Sequence, residues 1–292
     1  MTPYARRRLA TPRNFVLPLI TLAFTIAGWP SSGTSPSTPK PSPELVSIPA
    51  GELTLYGYLY KPEGAGPFPV VVWNHGSEKM PGWQPDLAEF CTDHVSVFLI
   101  PHRHGHGQSP GDDISDLIDD YRAHETDRAR VEKKAVEFHE LYNKNVVAAV
   151  EWLKKQPFVD ACRIVMTDVS YGGIQTLLTA EKELGIRAFN PFAPGAMSRS
   201  STEIQQRLLR AAQNAKAPMF LIQARNDYST GPSEVLGPAH LKHTPTNQAK
   251  LYPPFGSTHM DGHRRFATKP DGIAIWGEDV LSFIRRALES GQ

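Results

Sequence analysis

The feature that most constrains the fold is an alternation along the chain. Short apolar runs at Val70–Trp73, Val95–Ile100, Arg163–Thr167, Ile186–Phe192, Pro218–Ala224 and Ala249–Tyr252 are separated by longer segments of helical character. Each run is too short for a helix that spans a core, and Val70–Trp73 is wholly apolar, as expected of a strand covered on both faces. Glu52–Tyr60, rich in Leu and Tyr, reads as an earlier strand. Between the runs, 83–92, 171–184, 201–214, 236–241 and 273–288 read as helices. The charged stretch 115–156 reads as one or two more, with Val131, Ala135, Phe138, Tyr142, Val146 and Leu153 at helical spacing. Strands alternating with helices build an α/β protein with a mostly parallel central sheet and helices on both faces. In such sheets the chemistry gathers beyond the carboxyl ends of the strands. The 201–214 helix is placed to supply a small cap.

Composition bounds the remaining classes. The 292 residues are 40% hydrophobic, enough for one large domain, and the formal charge of +1 offers no basic field for nucleic acid. Residues 1–29 carry Arg6, Arg7, Arg8 and Arg13 ahead of an uncharged apolar run from Phe15 to Trp29. That layout reads as a secretory signal peptide, with an uncleaved anchor or a cytosolic tail as alternatives; the run is too short for a comfortable membrane span, so the mature protein is expected in the periplasm or outside the cell. Without the leader, 27 basic and 30 acidic groups remain. Residues 30–44, and the Pro/Ser-rich composition as far as Pro49, read as a flexible linker to a catalytic domain at 45–292. Cys91 and Cys162 allow one disulfide at most. No metal or organic cofactor is implied, and the oligomeric state is open.

The chemistry concentrates at three strand ends. In Asp168-Val169-Ser170-Tyr171-Gly172-Gly173 a β-branched run meets a serine and then a helix start. A serine at so abrupt a turn is lifted from the backbone, and the Tyr171 amide is placed to stabilise an oxyanion. The alternative is a plain N-cap serine. Asp227 follows the strand ending near Ala224 and suits the acid that orients an imidazole, or an ordinary turn. His259, in the flexible stretch after the last strand, reads as the base, with His263 as competitor four residues on. The order Ser170, Asp227, His259, each beyond its own strand, is that of a serine hydrolase. The second oxyanion donor is expected from the loop after Trp73, at the Ser77 amide or that of Gly76. His75 is expected to hold this loop, and Glu78 to line the pocket or stand in solvent. His102, His104 and His106 alternate, but Gly105 and Gly107 break the segment and no zinc spacing completes it, so a turn beside the pocket is expected.

On Ser170, Asp227 and His259, with His75-Gly76 upstream, the chain resembles the α/β-hydrolase superfamily. It is most similar there to the dienelactone-hydrolase-like branch and to the catalytic domains of prolyl-oligopeptidase-type serine peptidases. Arg103 to Ser109 resembles that family's Arg-Gly-x-Gly-x-Ser turn, and Val159 to Ile164 the approach to its nucleophile strand. The resemblance implies a serine hydrolase acting on a small ester, or alternatively on a short peptide. There are two departures. Dienelactone hydrolases use cysteine where Ser170 stands, which favours an ordinary ester or amide. Asp168 stands where the Gly-x-Ser-x-Gly elbow has its first glycine, adding a Cβ and a charge that would oppose an oxyanion. That departure is the one feature favouring a non-catalytic binding or scaffold protein.

Overall fold

In the computed structural model, residues 40–242 and 245–290 are described; the leader, most of the linker, and hence the expected export signal lie outside them. Among the described residues eight strands form the scaffold: β1 (Glu44–Ala50), β2 (Leu53–Tyr60), β3 (Phe68–Asn74), β4 (Val97–His102), β5 (Val159–Asp168), β6 (Ala188–Asn190), β7 (Phe220–Ala224) and β8 (Gln248–Tyr252). The first six pair in the order β1-β2-β4-β3-β5-β6. Parallel bridges Phe189–Met219 and Phe192–Ile222 carry the sheet on to β7, which pairs with β8 in parallel. Only β1 and β2 run antiparallel to their neighbours. The helices are α1 (Pro85–Asp93), α2 (Ile114–His124), α3 (Arg128–Leu153), α4 (Tyr171–Ala180), α5 (Thr202–Gln213) and α6 (Gly231–Leu241). A π-helical turn Asp261–Arg265 then leads into α7 (Phe266–Thr268) and α8 (Pro270–Glu289).

Strand β1 corrects the reading of Pro49 and its neighbours as part of a flexible linker. Val46 and Ile48 alternate inward while their neighbours face out, and Pro49 is tolerated because β1 is an edge strand. The stretch 115–156 divides into two helices at Glu125–Asp127, where Asp127 accepts from the Ala129 amide and caps α3.

Alternation along the strands splits the core in two. Val70, Val72, Ile164 and Met166 face α3 and α4, whereas Val71, Trp73, Phe98 and Val165 face α1 and α8. Cys91 is buried and Cys162 exposed, and both are free thiols. Among the described residues no helix is long and apolar enough to cross a membrane.

Candidate active site

Strand β5 ends at Asp168, and α4 begins at Tyr171. The reversal between them puts Ser170 at φ 60°, ψ −113°, a conformation that ordinary L-residues avoid. Holding it costs on the order of 1–3 kcal/mol. The surroundings supply that constraint: the Ser170 amide donates to Phe192 O (3.0 Å), and its carbonyl accepts from the Gly173 and Gly195 amides (3.0 Å each). A Cβ on Gly172 would lie 1.9 Å from Asn74 O, so glycine there is what lets α4 start against the end of β3. The Ser170 hydroxyl does not cap α4, which sets aside the N-cap reading.

Asp168 is fully buried. Its Oδ1 accepts from the Phe192 amide (3.0 Å), and Gly173 leaves room for it, since a Cβ there would lie 2.9 Å from that oxygen. Burial pushes the carboxyl well above the usual carboxylate range, towards the neutral form. Burial thus works against a charge on Asp168 two residues before Ser170.

Past β7, Asp227 is buried and accepts from the Tyr228 amide (2.5 Å). Its carboxylate also meets a histidine, and it is not the one the sequence favoured. His263, not His259, sits on Asp227, with Nδ1 2.8 and 3.0 Å from the two carboxylate oxygens. His259 is exposed, and its Nδ1 lies 3.0 Å from the Asn226 carbonyl. The two imidazoles are one helical turn apart, so both project to the same side, and spacing alone does not separate them. The π-helical turn at Asp261–Arg265 and the anchoring of its approach decide between them. Asn226 accepts from the Phe255 amide (2.7 Å) and donates to the Phe255 and Thr258 carbonyls (2.8 Å each). The Tyr228 ring touches both imidazoles, at 5.8 Å from His259 and 5.3 Å edge-on to His263. Because Nδ1 of His263 is taken by Asp227, Nε2 is the nitrogen left for proton transfer. Ser170 Oγ makes no hydrogen bond to His263 in this conformation, a contact that commonly tightens only when substrate binds.

Beyond β3, His75 and Gly76 are buried, Ser77 is exposed and Glu78 half-buried. The buried guanidinium of Arg103, just past β4, donates through Nη2 to the His75 carbonyl (2.9 Å) and the Gly76 carbonyl (2.7 Å). It also lies 4.2 Å over the Tyr171 ring. Arg103 thus ties the loop after β3 to the start of α4, the two segments expected to donate to an oxyanion. The role was missed in the sequence, where Arg103 was only part of a turn; its resemblance to the Arg-Gly-x-Gly-x-Ser motif was the available signal. Glu78 pairs with Arg264 at 3.5 Å, beside His263. The alternating histidines do not meet as a cluster of three. His102 packs on Tyr58, His104 on Tyr142 and His106 on His75, with ring centroids 4.6, 5.3 and 4.9 Å apart. No cluster of metal-ligating side chains is present among the described residues.

A strand order of β1-β2-β4-β3-β5-β6-β7-β8, with a strained serine after β5, an aspartate after β7 and a histidine after β8, defines the α/β-hydrolase fold. Residues 47–196, just over half of the chain, match the acetyl xylan esterase (AXE1) family, and the chain belongs to it. A Penicillium polyketide transferase, GrgF, is 25% identical over 203 residues, 67% of this chain and 61% of that protein. The chain thus spans under two thirds of that relative's length. The solved structure of GrgF overlays with a TM-score of 0.60 at 16% identity, covering 85% of this chain and 99% of that one. An acylaminoacyl peptidase of Pyrococcus horikoshii gives a TM-score of 0.62 at 18% identity, over 85% of this chain and 42% of that one. An esterase of Pyrococcus furiosus gives 0.59 at 15% identity, over 84% and 91%. These structures share the fold.

Proposed function

We propose that this protein is an exported serine esterase of the dienelactone-hydrolase-like kind. In this reading Ser170 is the nucleophile, His263 the base and Asp227 the acid that orients it. The observation that carries it is the buried Asp227–His263 pair at the same sheet edge as a serine held in a strained elbow. Ser170 Oγ attacks the ester carbonyl as its proton passes to His263 Nε2, and Asp227 stabilises the imidazolium. The Tyr171 amide, first in α4 and so without an intrahelical acceptor, receives the oxyanion with the Gly76 or Ser77 amide. Collapse expels the alcohol, which takes the proton from His263. Water, deprotonated by the same imidazole, then attacks the acyl-enzyme and releases the acid.

The family's name makes acetyl esters of a polysaccharide the first substrates to try, beside aryl acetates. Export rests on the basic start and apolar run of residues 1–29. With p-nitrophenyl acetate, His263→Ala is expected to lower kcat by about 10³–10⁴, whereas His259→Ala changes it by less than about tenfold. A serine-directed phosphonate should label Ser170. Loss confined to His259→Ala would reinstate the other imidazole, and full activity without Ser170 would end the serine mechanism. Parallel assays on aminoacyl amides decide between ester and peptide substrates.

A further inference from the structure

On the sheet face away from α3 and α4, helices α1 and α8 do not close completely over the strands. They leave a cavity of about 230 Å³. Its floor is Val71 and Trp73 of β3 beside Val165 of β5, and Leu87 and Val280 contribute from the two helices. None of Ser170, Asp227 and His263 lines it. Charge at one end distinguishes it from a simple packing gap. Arg163, exposed at the start of the apolar part of β5, and Arg285 of α8 both line the cavity. Arg285 has only a 3.6 Å pairing with the exposed Glu278, and Arg163 makes no ion pair among the described residues.

We infer that this cavity is a binding site for a small monocarboxylic acid with an aliphatic chain. The carboxylate sits at the guanidinium groups of Arg163 and Arg285, and the chain lies along Val71 and Val165. The floor residues alternate along parallel strands, Pro69-Val71-Trp73 beside Arg163-Val165-Thr167, so the lane runs from a cationic end to an apolar one. An amphipathic acid has the same polarity, whereas an alcohol lacks the charge and a cation is repelled. The cavity has room for a medium-length chain. The site does not depend on the chemistry proposed for Ser170.

Octanoate is the probe, titrated into the full chain while tryptophan fluorescence and Tm are read, because Trp73 and Trp276 both line the cavity. Saturable binding is expected with Kd on the order of 1 mM or tighter, with a rise in Tm. Ser170→Ala should bind octanoate unchanged, and Arg163→Glu, at an exposed position that leaves the core intact, should weaken it at least about fivefold. Octylamine and acetate should not bind. Absence of saturation, equal affinity for octan-1-ol, or an Arg163→Glu variant that folds and binds normally would each overturn the assignment.

Discussion

Asp168 shows how one residue is made compatible with a site that its type appears to oppose. In sequence it adds bulk and negative charge two positions before the nucleophile. In the structure Gly173 provides the space, the Phe192 amide takes one oxygen, and burial favours the protonated acid. Its native pKa lies above the roughly 3.9 of an unfolded aspartate, so the native state keeps a proton that the unfolded chain releases. Stability contributed by this residue is therefore lost as pH rises from about 4 towards the native value. Asp168→Asn keeps the acceptor for Phe192 and cannot ionise. Its Tm is expected to exceed that of the parent at pH 7, with the advantage narrowing as pH falls towards 4. Thermal unfolding across that range checks this, and a difference independent of pH would contradict it. At the same scale, His263 rather than His259 lies on Asp227, for a different reason. His259 and His263 have equivalent chemistry and project from successive turns, so only the Asn226 clasp and the π-helical turn decide which meets Asp227.

At the scale of elements, Arg103 connects two segments that the sequence presents as unrelated. One Nη2 group holds the carbonyls of His75 and Gly76, while the guanidinium plane lies over Tyr171 of α4. Replacing it with methionine fills similar volume but leaves the buried His75 carbonyl without its donor and the Gly76 carbonyl with only His75 Nδ1 beside it, at a cost of roughly 1–3 kcal/mol. Arg103→Met is expected to lose that stability in urea unfolding. It should also lower kcat more than it raises KM, because the oxyanion donors shift while the rest of the pocket remains. Arg103→Lys should recover stability better than kcat, since an ammonium lacks the planar face that stacks on Tyr171. A KM effect alone would place Arg103 in binding rather than in positioning. The strands β2 to β8 and the sheet edge that carries Ser170 and Asp227 were legible because apolar runs and turn residues are local properties of the chain. Neither β1 nor Arg103 was. Strand β1 is made by pairing with β2 against a Pro-rich composition, and the part played by Arg103 comes from burial between distant loops.

For the whole molecule, the consequential group is a set of buried imidazoles gathered from separate elements around that same arginine. His75 follows β3, His102 ends β4, His106 lies in the next turn and His139 is on α3, and all four are buried. Burial is the first cause holding them neutral, and repulsion from Arg103 adds to it. His102 and His106 are lowered to about 4 and His139 to about 3, while His75 lies well below the usual 6.5. Asp113, 3.5 Å from His106, is the facing group that opposes the trend, and Asp168 works against it from about pH 4 up to its own raised native pKa. An unfolded chain protonates these imidazoles near 6.5, but the native chain does not, so the stability they contribute is lost as pH falls from about 6.5 towards 4. Each adds up to about 1.4 kcal/mol per pH unit to the slope. Urea unfolding at intervals between pH 7 and pH 4.5 should therefore show a steep, multi-proton loss of stability. His139→Gln removes one titrating group whose ring packs on Tyr171 at 5.0 Å. Whatever it costs at pH 7, its curve should be shallower by about one proton over the same interval. Parallel curves for parent and variant would mean that His139 takes up its proton in the native state as readily as in the unfolded chain.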